Sequence, residues 1–214
     1  MTTEQFVESA MSFGPYPEGH CFYIEKSNIY KNLGHGVKIV EFVLLRQKSQ
    51  SLKVCLVEAK SSAPRPENKL DFDNYICEIK EKLVNALTLV IASCLKRHKS
   101  AETELPELFK MLDLKNSDFQ LILIINGHSE SWLPPLLDAL KIALHPTVKT
   151  WGLSAKAVAV INDKMAVELG LVALVIVQPN RVSLWSAATR RRFPKHTATS
   201  RRTPHVERYM WAER

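Results

Sequence analysis

The sequence predicts an α/β fold in which a mixed central sheet is flanked by helices. Three observations carry that expectation. Two neighbouring runs, VKIVEFVLL (37–45) and LKVCLVEAK (52–60), are rich in β-branched and aliphatic residues and are separated by the polar turn RQKSQS. Beyond them, Ile76, Ile79, Leu83, Leu87, Val90 and Cys94 recur at spacings of three and four, the stripe of an amphipathic helix. Strand-like and helix-like runs then alternate along the chain, the signature of a layered α/β domain.

Taken in order, residues 1–21 read as polar and irregular, with GPYPEGH marking a loop. YIEKSNIYKNLG reads as a short helix, with Gly34 placed to end it after Leu33. The runs 37–45 and 52–60 read as an antiparallel hairpin, its loop formed by the polar turn between them. The prolines of SSAPRPENKLDFD cannot continue a ladder. A helix is expected from 74 to 97, with Asp71 or Asp73 as its cap. A short helix fits 106–112, and FQLILIING (119–127) is the continuous apolar run of a central strand. SWLPPLLDALKIALHP follows as a helix, with Pro134 and Pro135 acceptable only in its first turn. AKAVAVIND (155–163) reads as another strand. LGLVALVIV (169–177) is too short to span a membrane and suits a buried strand, with a helix as the alternative.

At 214 residues and 46% hydrophobic, the chain can bury one sizeable core. The composition changes after Gln178, dividing the chain into a single domain at 1–178 and a basic, flexible tail at 179–214. The tail holds nine Lys/Arg against two Glu and so carries the entire net charge of +7, leaving residues 1–180 with twenty residues of each sign. The domain is neutral, and the electrostatic footprint for a polyanion belongs to the tail. The N-terminus has neither the basic nor the apolar region of a secretory signal. Cys21, Cys55, Cys77 and Cys94 form no CxxC pair, which suits a reduced, cytoplasmic protein better than a zinc ribbon or a disulfide scaffold. Phosphate-cradling glycine loops and the GxSxG elbow are absent, so Ser129 and Ser131 have no triad context. His128 follows a central strand and His35 lies between two glycines; both read as loop residues.

The residues that carry chemistry stand in the hairpin. Glu58 and Lys60 are two apart in a strand and share a face with Leu52, Val54 and Leu56. On the partner run, Glu41 is the only acidic residue among Ile39, Val40, Phe42 and Val43, where burial without a partner or metal would be costly. If the register sets Glu41 against the end of LVEAK, two carboxylates and an ammonium converge. Such a set suits a hard divalent cation and phosphodiester hydrolysis. The alternatives are a solvated Glu58–Lys60 pair at a sheet edge and a Glu41 exposed on the outer face of the hairpin.

VEF on one strand, then VEAK closing the next and a long helix following, resembles the PD-(D/E)xK, or restriction-endonuclease-like, nuclease superfamily over residues 20–163. Glu41 stands where that family usually has Asp. The resemblance implies an αβββαβ core and a hydrolase that cleaves DNA with Mg²⁺ or Mn²⁺. It assigns Glu41 and Glu58 as metal ligands and Lys60 as the catalytic lysine. Glu25, otherwise an ordinary helix-start carboxylate, would be an additional ligand, and Ser61 and Ser62 would lie at the cleft mouth. It also admits a catalytically inactive nuclease-fold module that binds a protein or nucleic-acid partner. No membrane role is expected.

Overall fold

A computed structural model describes residues 4–48 and 51–173. The expected tail at 179–214 and the last four residues of the run 169–177 lie outside the described residues. The chain opens on a small hairpin, β1 (Phe6–Glu8) and β2 (Met11–Phe13), where the sequence suggests only irregular structure. Its turn residues Ser9 and Ala10 both have positive φ, +50° and +59°, the backbone of a tight two-residue hairpin. That turn favours Asn-Gly or Gly-Gly, and Ser-Ala gives no such signal. Phe6 and Phe13 pack on each other and on Phe42, with ring centroids 5.1–5.4 Å apart, and this aromatic cluster holds the hairpin in place.

After the loop at 14–20 come β3 (Cys21–Phe22), a 3₁₀ turn (Ile24–Lys26) and α1 (Asn28–Lys31). Ser27 caps α1 by accepting from the Tyr30 N–H, and Gly34 adopts φ +76° beyond its end. β4 (Phe42–Lys48) and β5 (Ser51–Lys60) form the expected antiparallel pair, shifted from the sequence reading. The first strand starts at Phe42 rather than 37, and the strands reach into the turn expected at RQKSQS, to Lys48 on one side and from Ser51 on the other. α2 (Lys69–Cys94) starts before the expected 74; Asp71 therefore lies inside its first turn, and Asn68 holds the cap position. α3 (Ala101–Glu104) and α4 (Glu107–Lys110) are single turns leading to β6 (Asp118–Ile125). A 3₁₀ turn (Glu130–Trp132) enters α5 (Leu133–Thr150), which carries prolines in its first turn as expected. β7 (Val158–Asn162) and α6 (Asp163–Glu168) complete the elements.

The fold is mixed α/β, with a five-stranded sheet in the order β3–β4–β5–β6–β7. The β3–β4–β5 half is antiparallel and the β5–β6–β7 half is parallel. The β5–α2–β6 and β6–α5–β7 crossovers bring their helices to the same face, where Val54, Leu56, Leu121 and Leu123 share a core with Ile79, Leu83, Leu136 and Leu140. On the opposite face Cys55, Val57, Ile122 and Ile124 pack with Phe13, Tyr16, Phe42 and Leu171. Of the run 169–177, Val172 forms a single antiparallel bridge to Phe13. Among the described residues no helix is long and apolar enough to cross a membrane.

Candidate active site

β5 lies between β4 and β6, so Glu58 is not on a sheet edge, and the solvated-pair reading fails for it. Alternation puts Val54, Leu56, Glu58 and Lys60 on the face covered by α2, and the Glu58 side chain is 0% exposed. A carboxylate buried in a row of core leucines needs compensating charge. The Lys82 ammonium stands 2.7 Å from Glu58 Oε1, and that of Lys60 stands 3.3 Å from the same oxygen. Lys60 is held in turn by Glu78 Oε1 at 3.0 Å.

The register brings in Glu41. β4 begins at Phe42, which pairs with Val57, and Glu41 immediately precedes it, close enough for the charge of Glu58 to act on it. The Glu41 side chain is only 12% exposed and lies 4.0 Å from the Lys82 ammonium, which excludes the outer-face alternative. Glu25 sits in the 3₁₀ turn rather than at the start of an α-helix, and there it meets Glu41. Oxygens of Glu8, Glu25 and Glu41 all lie within 4.8 Å of one another. Glu58 is outside that close trio and connects to Glu41 through Lys82. The ligand set expected from sequence was Glu25, Glu41 and Glu58; the geometry adds Glu8 and inserts a lysine between two of its members.

The electrostatics follow from this crowding. Burial, a hydrogen bond shared with Glu25 and the charges of Glu58 and Glu25 push the Glu41 carboxyl up to about 8, against the pull of Lys82. Burial also raises Glu58, opposed by Lys82 and Lys60. Lys60 loses by burial but gains more from the Glu78 hydrogen bond and the charges of Glu58 and Glu78, and its net shift is upward. The Lys60 hydrogen bond holds Glu78 below the usual carboxylate range. Tyr75, on the same helical flank as Glu78 and Lys82, is raised by burial and then by the charges of Glu58 and Glu78.

Glu41 thus holds its proton more tightly folded than unfolded, so its contribution to stability is complete below the unfolded value of 4.5 and is lost as the pH rises through about 8. Glu58 acts in the same direction. Glu78, lowered instead, loses its contribution only in acid, below that window. Denaturant unfolding in EDTA should therefore show stability falling from weakly acidic to weakly basic pH, and Glu41→Gln should reduce that slope. A stability that rises through this range would contradict the assignment.

The residues present fit a divalent cation. Glu58 Oε2 and the Tyr75 hydroxyl are buried and have no hydrogen-bond partner among the described residues. With all groups ionised, five carboxylates (Glu8, Glu25, Glu41, Glu58, Glu78) face three ammonium groups (Lys26, Lys60, Lys82), leaving two negative charges. All the donors are oxygen, as Mg²⁺ and Mn²⁺ prefer.

Sequence reasoning missed Glu8, Glu78 and Lys82. Tyr75, Glu78 and Lys82 are spaced by three and four, a polar flank beside the apolar stripe of α2 that was visible in the sequence. Glu8 had no signal, because it depends on the turn at Ser9–Ala10. Ser9 Oγ donates to the Ala59 carbonyl and Asn126 Nδ2 donates to the Ser9 carbonyl, tying that turn to the ends of β5 and β6. Ser61 and Ser62 are exposed directly after Lys60. Comparison of the chain with protein-family models, curated proteins and solved structures gave no match.

Proposed function

We propose that the chain is a restriction-endonuclease-like nuclease that hydrolyses DNA phosphodiester bonds with Mg²⁺ or Mn²⁺. The observation that carries this reading is the convergence of Glu25, Glu41, Glu58 and Lys60 at one corner of the sheet, with Glu58 fully buried. Glu41 and Glu58 would hold the metal, Glu41 from within its close trio with Glu25 and Glu8 and Glu58 through its unpartnered Oε2 on the other side of Lys82. The bound ion supplies Lewis-acid stabilisation of charge developing on the phosphodiester. Lys60 stands at the end of β5, less buried than Glu58 and fixed by Glu78, where its ammonium can orient an attacking water and offset that charge. Glu78 acts through Lys60 and is a positioning residue. The basic segment 179–214 supplies sequence-independent attraction for a polyanion.

The test is magnesium-dependent cleavage of plasmid and oligonucleotide DNA. Lys60→Ala should reduce the rate by about 10²–10³, the usual effect of removing one group that stabilises transition-state charge. Cleavage at the wild-type rate would remove Lys60 from the mechanism. A second reading, a catalytically inactive module of the same fold that binds a protein or nucleic acid, is favoured by Lys82. Its ammonium already compensates Glu58 at 2.7 Å and stands 4.0 Å from Glu41.

A further inference from the structure

β5 and β6 are parallel neighbours, so the loops that leave them, after Lys60 and after Ile125, emerge at the same end of the sheet. Between these loops is a crevice of about 260 Å³ whose walls include Pro64, Arg65, Pro66, His128, Trp132 and Pro135. This is just below the roughly 300–1,000 Å³ of small-molecule pockets and suits a single ring system. Trp132 remains 46% exposed although it stands at the entry to α5, so part of its side chain is open to solvent. The Arg65 guanidinium lies over that indole at 4.5 Å, and the His128 ring meets it edge-on at 5.4 Å. Among the described residues no carboxylate lies within ion-pair reach of Arg65. The crevice is thus an aromatic platform with an uncompensated planar cation, five residues along the chain from Lys60. Its rim also carries Glu67, so it is not a general trough for phosphate, and the flat rings must supply much of the affinity.

We infer that this crevice is a nucleotide subsite in which the Trp132 indole stacks on a base of the substrate strand and Arg65 pairs with the adjoining phosphate. The inference rests on the nucleic-acid reading of the neighbouring carboxylate site, but not on cleavage there. A base stacked in duplex DNA cannot present its face to an indole, so the occupant is single-stranded or splayed. The chemistry is that of single-strand binding platforms, where aromatic faces accept any base and basic groups follow the backbone.

The experiment measures binding of a labelled short single-stranded DNA oligonucleotide to the full chain by fluorescence anisotropy, in EDTA and across a salt series. Trp132→Ala should weaken binding by about 5- to 100-fold with the salt slope unchanged, and Trp132→Phe should retain most of the affinity. Arg65→Ala should weaken binding and reduce the log–log salt slope by about 0.7, one single-strand phosphate contact. Binding that is unaltered in Trp132→Ala and Arg65→Ala would place the affinity elsewhere, in the basic segment 179–214, and overturn the subsite. Absence of binding by the wild-type chain would overturn it as well. Trp132-dependent binding without any magnesium-dependent cleavage would support the subsite and refute the nuclease reading. Cleavage that persists with Trp132-independent binding would do the reverse.

Discussion

Glu58→Ala is expected both to abolish metal-dependent cleavage and to destabilise the fold, whereas Glu58→Gln should abolish cleavage with a smaller loss of stability. The difference follows from what each change leaves behind. Alanine removes the oxygen that accepts from Lys82 at 2.7 Å and from Lys60 at 3.3 Å. Lys60 keeps Glu78 at 3.0 Å, but Lys82, only 14% exposed, keeps only Glu41 at 4.0 Å. Removing one partner of a buried ion pair strands the other, typically at about 3–5 kcal/mol. Glutamine keeps the shape and an acceptor oxygen, so part of that cost is avoided. Neither side chain supplies the anionic oxygen that a divalent cation requires, and cleavage should fall by at least about 10²–10³ in both. Denaturant unfolding beside a cleavage assay checks both halves. Cleavage by Glu58→Gln at the wild-type rate would exclude the carboxylate from the chemistry.

The sequence revealed the parts of this site that depend on local periodicity. Alternation alone put Glu58 and Lys60 on one face of β5, and the three-and-four stripe identified α2 as a helix with one apolar face. The Glu41–Glu58 juxtaposition depends on register, which the pairing of Phe42 with Val57 decides and the sequence does not. Lys82 was hidden for a related reason. A helix pattern shows which residues share a flank but not how the helix is rotated over the sheet. Tyr75, Glu78 and Lys82 share one flank, and only the packing of α2 on β5 turns that flank toward Lys60 and Glu58. Glu8 depends on a positive-φ turn at two residues that seldom adopt one. The aromatic crevice requires two loops far apart in the chain to meet, which is a property of the parallel β5–β6 pairing.

Lys82→Met should decide whether the carboxylates await an ion or already have their cation. In the wild type, the Lys82 ammonium lies within 4.0 Å of oxygens of both Glu41 and Glu58, so an incoming divalent cation competes with a charge fixed to α2. Methionine keeps the length and apolar stem of lysine and deletes that charge. Without metal, the variant should be less stable than the wild type, because Glu58 retains only Lys60 as counter-ion inside the core. With metal, the order should change. Mn²⁺ and Mg²⁺ should bind at least about tenfold more tightly, since one unit charge about 4 Å away is worth several kcal/mol even at an effective dielectric constant of about 20. Saturating ion should then return stability in proportion to the logarithm of its concentration over Kd. Titration calorimetry and thermal unfolding with and without metal measure both effects. If the wild type binds metal and Lys82→Met binds it more tightly, the lysine moderates a working metal site. If only Lys82→Met binds, the lysine has closed the site, and the silent-module reading accounts for the native chain. If neither binds, Glu41 and Glu58 are a buried ion-pair network, and the nuclease proposal falls with them.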